Sequence, residues 1–132
     1  MATARATAIR AITPFFIVGE LARALRFYVD QLDFEVRYLA PADDPFFAIV
    51  GRDSVQIMLK EITPEVQPQP NRSRHENALW DAFVYVPDPE TLAAEFSARG
   101  LPVQVSVRDD ELRGFEVRDS EGYVLYFGRP DA

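Results

Sequence analysis

The apolar patterning of the chain predicts an α+β protein built from two tandem copies of one βαβββ unit. Three observations carry this. The order strand, helix, three strands occurs twice within 132 residues. One shift of 68 positions places Val18 on Val86, Glu20 on Asp88, Ile57 on Leu125 and Leu59 on Phe127, so a single offset matches the first and last strands of both copies. A proline-bearing segment with almost no hydrophobic period, ITPEVQPQPNRSRHENA, separates the copies.

The elements follow in order. Ala11 to Val18 is apolar, β-branched and aromatic, and predicts a strand. From Glu20 to Leu32 the apolar residues Leu21, Ala24, Leu25, Tyr28 and Leu32 recur at helical spacing, with Arg23, Arg26 and Asp30 on the other side. Phe34 to Ala40, Phe46 to Val50 and Ser54 to Glu61 predict three strands, parted by ProAlaAspAspPro and GlyArgAsp turns. These make module one, about residues 10–61. Residues 62–79 are expected to be a linker or covering loop. Module two, about 80–129, opens with a strand from Trp80 to Val86. A helix follows, with Asp88 as its N-cap, Pro89 in its first turn and Gly100 placed to end it. Pro102 to Val107, Gly114 to Asp119 and Tyr123 to Gly128 predict the remaining strands, the last two joined by a SerGluGly turn. The whole chain, 1–132, is expected to form one domain.

Composition narrows the chemistry. At 48% hydrophobic and 12% aromatic, the chain has enough apolar surface for a core and is not a disordered coil. With 14 Lys+Arg against 21 Asp+Glu and a net charge of −7, it lacks the cation excess that phosphate backbones require, so no nucleic-acid partner is expected. No apolar run is long enough to span a bilayer, and the first ten residues lack the apolar stretch of a secretion signal, so no membrane partner is expected. Cysteine is absent, which removes disulfides and thiolate chemistry and fits a cytoplasmic location. The single histidine, His75, cannot furnish a two-His metal site within one chain, and sharing across a symmetric dimer still supplies only one His per site on average. Lying in ArgSerArgHisGluAsn, it is expected in a solvated loop. It would act as a base only if that loop folded over a cavity.

Strand parity sorts the side chains into two faces. Phe16, Val18, Ile57, Leu59, Val84, Val86, Leu125 and Phe127 are all apolar and are expected to pack against the helices. The opposite class holds Thr13, Phe15, Ile17, Gln56, Met58, Asp81, Phe83, Tyr85, Val124 and Tyr126. An apolar wall with a few polar fixtures is the composition of a small-molecule cavity. The same pattern also suits a second hydrophobic face covered by a partner subunit or by the linker.

The segments TPFFIVGELARALRFY with QLDF, WDAFVYVPDPETLAAEFSARG, and FEVRDSEGYVLYFG occur in an order and spacing that resemble the vicinal oxygen chelate superfamily, also called glyoxalase/bleomycin resistance/dioxygenase. The resemblance spans roughly residues 10–129. It implies two βαβββ modules with curled mixed sheets, a concave ligand cavity and frequent pairing into a homodimer. Metal-using members of that family place ligands on the first and last strand of each module. Carried across, these positions fall on Thr13, Met58 (with Gln56 nearby), Asp81 and Tyr126, a weak donor set with one carboxylate. No metal and no cofactor are therefore expected, and the resemblance points to the metal-free, bleomycin-resistance-like branch, whose members sequester a drug in a groove lined by aromatic and acidic groups, usually between two subunits.

The function expected is a small-molecule binding protein, sequestering an aromatic or cationic compound such as an antibiotic. The ligand-binding candidates are Phe15, Gln56, Met58, Trp80, Asp81, Phe83, Tyr85 and Tyr126. Trp80 is either a stacking wall or a lid over the sheet edge. Asp81 either meets a ligand amine or makes a structural bond to Thr13 or Gln56. Tyr126 offers a phenol at the cavity floor, and no catalytic residue is assigned. Arg72 and Arg74 could instead meet an anionic ligand group. The alternative is a lyase- or isomerase-type enzyme, or another enzyme of the same fold, working on a small carbonyl or phenolic substrate through Asp81, Tyr126 or His75. A third expectation is a structural or regulatory dimer with a vestigial cavity.

Overall fold

The computed structural model describes residues 6–131; residues 1–5 and 132 of the expected domain lie outside the described residues. Module one runs β1 (Phe15–Val18), α1 (Leu21–Arg26), β2 (Glu35–Ala40), β3 (Phe47–Arg52) and β4 (Val55–Glu61). Module two runs β5 (Ala82–Tyr85), α2 (Pro89–Ala98), β6 (Ser106–Val107), β7 (Leu112–Arg118) and β8 (Val124–Pro130). Each module forms a curled four-stranded sheet, in the order β1-β4-β3-β2 and β5-β8-β7-β6. The outer pair is parallel and the rest antiparallel. The internal repeat is exact in register: Phe15 pairs with Met58 and Phe83 with Tyr126, both members displaced by 68 positions.

Local chemistry explains where the elements stop. β1 begins only at Phe15, because Pro14 carries no N–H for a ladder. Met58 N still donates to Pro14 O at 2.9 Å, the last bond on that edge. α1 widens into a π-turn, Phe27–Gln31, and ends at Asp33 in the left-handed region (φ 58°), with Phe34 N returning to Tyr28 O at 3.0 Å. Its N-terminus has no cap from Glu20; instead Glu61 on β4 accepts from Leu21 N at 2.7 Å. α2 is capped as its sequence predicts. Asp88 accepts from Thr91 N at 3.2 Å, Pro89 opens the helix, and Gly100 follows it at φ 94°.

Of the strand expected over Pro102–Val107, only Ser106–Val107 forms. Val103 bonds instead to the Ser97 hydroxyl at the end of α2, which draws the preceding residues off the ladder.

The helix-facing parity class forms one core shared by both modules, with Phe16, Val18, Ile57, Leu59, Leu125 and Phe127 buried. Burying side chains of this size contributes about 1.5–3 kcal/mol each. Phe96 of α2 meets Phe115 and Phe127 edge-on at 5.9 and 5.4 Å. Val84 and Val86 are only half-buried, unlike their module-one counterparts Phe16 and Val18, because nothing seals the outer side of β5.

The modules are bolted together by the β7–β8 turn. Tyr123 stacks on Phe16 at 4.2 Å and donates to Ile17 O at 2.6 Å. Glu121 accepts from Gly19 N and from the Arg23 guanidinium at 3.0 Å each. On the other flank Arg52 makes a two-point contact with Glu95 at 2.6 and 2.9 Å. Among the described residues no helix is long and apolar enough to cross a membrane.

Candidate ligand-binding site

Phe15, Gln56 and Met58 in module one, and Phe83, Tyr85 and Tyr126 in module two, lie on the sheet faces opposite the helix-packed core, here called the concave faces. In module two the strand register sets Tyr126 beside Phe83 and opposite Glu116. The Tyr126 ring lies at 5.5 Å from Phe83, nearly parallel, and at 5.0 Å from Trp80; Trp80 and Phe83 are 5.9 Å apart. Each such pair adds about 0.5–1.5 kcal/mol beyond its buried area. The ring can lie this flat because glycines occupy the sheet beneath it. A Cβ on Gly114 would come within 2.9 Å of Tyr126 Cε1 and 2.7 Å of Gly128 Cα.

Arg108 closes the cluster, its guanidinium 5.3 Å from the Trp80 ring and 5.9 Å from that of Tyr126. Cation–π contacts of this kind are worth about 0.5–2 kcal/mol. Tyr126 is consequently 2% exposed, and its hydroxyl is buried without a hydrogen-bond partner. Burial pushes its phenol above the ordinary range, against the opposing pull of the Arg108 charge. Phe83 and Tyr85 remain open above this floor, at 40% and 64% exposure.

The linker docks on this module. Arg72 pairs with Glu116 at 2.9 and 3.1 Å and donates to Leu79 O. The Asp81 carboxylate accepts from Asn71 N at 2.7 Å and from Val124 N at 2.8 Å, tying linker, β5 and β8 at one point. A cleft of about 520 Å³ runs between this linker and the edge of β1, with Phe15, Gln69, Arg74 and Asp81 among its walls. His75 is exposed, and its Nδ1 accepts from Asn77 N at 3.0 Å within the same loop.

On the module-one face, Phe15 lies 6.4 Å from Phe47, which meets Tyr38 at 6.1 Å. Met58 is half-buried beside Phe15, and Gln56 is exposed near the start of β4. Thus Trp80, Phe83 and Tyr126 are gathered into one packed cluster, with Asp81 adjoining it through Val124. Phe15, Gln56 and Met58 line the other sheet, and Phe15 and Asp81 share the cleft. Arg108 and Glu116 escaped sequence reasoning: a lone arginine after a two-residue strand gives no periodic signal, and Glu116 reads as a solvent position.

The positions that hold ligands in metal-using relatives do not fit a divalent cation here. Both Asp81 oxygens already accept backbone N–H groups, the Tyr126 hydroxyl is enclosed, and Thr13 and Met58 are weak donors. Among the described residues no three His, Asp or Glu side chains converge.

Comparison with solved structures places this architecture among known ones. The bleomycin-binding protein of bleomycin-producing Streptomyces verticillus, complexed with copper(II)-bleomycin, matches at a TM-score of 0.65 and 22% identity, over 92% of this chain and 96% of that one. A glyoxalase-related enzyme from Clostridium phytofermentans matches at 0.69 and 12% identity, over 95% and 98%. TioX from Micromonospora sp. ML1 matches at 0.64 and 18%, over 91% and 99%. At these identities the likeness is one of fold. No curated protein matches the chain in sequence. A family model covers residues 9–127, both modules and the linker between them, and by that match the chain belongs to the Glyoxalase/Bleomycin resistance protein/Dioxygenase superfamily.

Proposed function

We propose that the chain, acting as a single domain in the cytoplasm, binds and sequesters a small flat aromatic compound as a homodimer, without a metal and without transforming it. The observation that carries this reading is the aromatic surface left open on both concave faces. Phe15, Tyr38, Phe83 and Tyr85 are all exposed, and Ile9 and Ile12 ahead of β1 are more exposed still. Uncovered apolar surface on this scale marks a binding or assembly face. A second copy laid across it would turn two shallow faces into grooves.

In this reading Phe15, Met58, Phe83, Tyr85 and Trp80 are the walls, Tyr126 is the floor, Gln56 supplies a polar contact, and Asp81 holds the linker at the rim. An aromatic ligand is favoured over a cationic one, because Arg108 already occupies the face of Trp80 and Tyr126 where a ligand cation would sit. The bleomycin-binding neighbours of the same fold support a small-molecule ligand.

Trp80 is the sole tryptophan, so its emission reads the site directly. Titration with bleomycin and with simple planar aromatics should quench it saturably, with the ligand recovered chemically unchanged. Phe83→Ala should weaken binding about tenfold, a loss of some 1.4 kcal/mol. Sedimentation should give a dimer. Conversion of the compound to a product would replace this reading with the enzymatic one. A monomer whose emission no aromatic compound alters would overturn it altogether.

A further inference from the structure

The chain has a second cavity, on the helix side of the sheets and away from the concave faces. It is an open pocket of about 410 Å³ at the junction of the two modules, with Val55, Val84, Tyr85, Leu92 and Phe96 among its walls. The internal repeat shows what belongs there. Shifted by the 68 positions of the strand register, Val84 corresponds to Phe16, Tyr85 to Ile17, Phe96 to Tyr28 and Val55 to Tyr123. In the corresponding half the space is filled by the Tyr123 ring, stacked on Phe16 with its hydroxyl donating to the Ile17 carbonyl at 2.6 Å.

In this half Val55 stands where Tyr123 would, and a phenol ring is missing. The walls register the difference. Phe16, Val18 and Ala24 are buried, whereas Val84, Val86 and Leu92, their counterparts, are half-exposed. The cavity therefore reflects an unfilled place in a duplicated interface rather than a surface irregularity. β5 is an edge strand of its sheet, paired only with β8, so its other side has no neighbouring strand. The rim is polar: the Arg52–Glu95 ion pair stands on one side and the Asp88–Thr91 cap on the other.

We propose that this junction cavity binds a small neutral phenol, with its ring among Val55, Val84, Leu92 and Phe96 and its hydroxyl donating to the Tyr85 carbonyl, as Tyr123 does to Ile17. A neutral ligand is specified because its hydroxyl must donate to a carbonyl, which a phenolate cannot do. The site is independent of the concave-face reading and would stand if that reading failed.

The probe is p-cresol, the side chain of tyrosine as a free molecule, with toluene as its hydroxyl-free counterpart. Methyl NMR of the intact protein should show saturable shifts of Val55, Val84 and Leu92 with p-cresol, while Trp80 emission stays constant. Toluene should bind about tenfold more weakly. Val55→Tyr should supply the missing ring from within, abolish p-cresol binding and raise the melting temperature. Should that variant misfold, Leu92→Phe occupies the same space from α2 and should block binding likewise. Unmoved valine methyls in the wild-type protein, or unchanged p-cresol binding by either folded variant, would overturn the proposal. Equal affinity for toluene would overturn the assigned role of the Tyr85 carbonyl.

Discussion

Tyr28 in the first module donates a 2.6 Å hydrogen bond to Asp119, 91 residues away in the turn between the last two strands. Both are buried. The other Asp119 oxygen accepts from Glu121 N and Tyr123 N at 2.8 and 2.9 Å, so one carboxylate shapes the turn and anchors it to the neighbouring module. The same turn presents Tyr123 and Glu121 to β1 and α1, and its placement decides how the modules meet.

Removing the phenol should loosen that junction. Tyr28→Phe keeps the ring and deletes one charge-assisted hydrogen bond to a buried carboxylate. It is expected to lower stability by about 1.5–3 kcal/mol, read as a lower urea midpoint at unchanged slope. It should also push the Asp119 pKa higher still, since the Tyr28 hydroxyl is one of the bonds holding it down.

Asp119 should leave a signature in the pH dependence of stability. Burial raises its carboxyl to about 6 from the ordinary 3.8, outweighing the bonds from Tyr28, Glu121 and Tyr123. A carboxyl raised on folding binds more protons in the native than in the unfolded state between those two values. Its contribution to stability therefore falls as pH rises through that window, by about 3 kcal/mol at most. Asp119→Asn should remove this slope. The difference between variant and wild-type unfolding free energies should rise between pH about 4 and about 6 and be level above it. A flat difference across the window would show that the buried carboxyl titrates normally.

The glycines under Tyr126 should resist replacement. A Cβ at Gly114 meets Gly128 Cα at 2.7 Å and, closer still, the Phe127 carbonyl oxygen; both are backbone and cannot step aside. Gly114→Ala is expected to destabilise by about 1–3 kcal/mol through overpacking. It should also change Trp80 emission, because the Tyr126 ring must lift into its neighbours.

Arg108 should act on the Tyr126 phenol through its charge. Arg108→Ala removes the one influence that lowers that phenol's pKa, so its titration, followed by ultraviolet difference absorbance, should move further up. The accompanying change in stability should be about 0.5–2 kcal/mol, the worth of a cation over an aromatic face. An unmoved phenol would mean that the guanidinium does not rest over the ring in solution.

Much of this molecule is written in local pattern. The duplication, the parity of the strands, the α2 cap at Asp88 and the stop at Gly100 follow from spacing and turn chemistry, which act over a few residues. Trp80, Phe83 and Tyr126 share a parity class for the same reason. Asp81 illustrates the limit: a structural bond was one of its two expected uses, yet its partners are Asn71 and Val124, neither of which a face assignment brings to it.

What only the tertiary structure decided is where the two faces are filled and where they are left open. Parity assigns Tyr126 to a cavity, but Gly114, Gly128, Trp80 and Arg108 together bury it. Parity assigns Val84 to the core, but the absence of a ring at Val55 leaves it half-exposed. A periodic sequence sets the direction in which a side chain points. The chain segments that arrive above it, from positions scores of residues away, determine whether it meets protein or solvent.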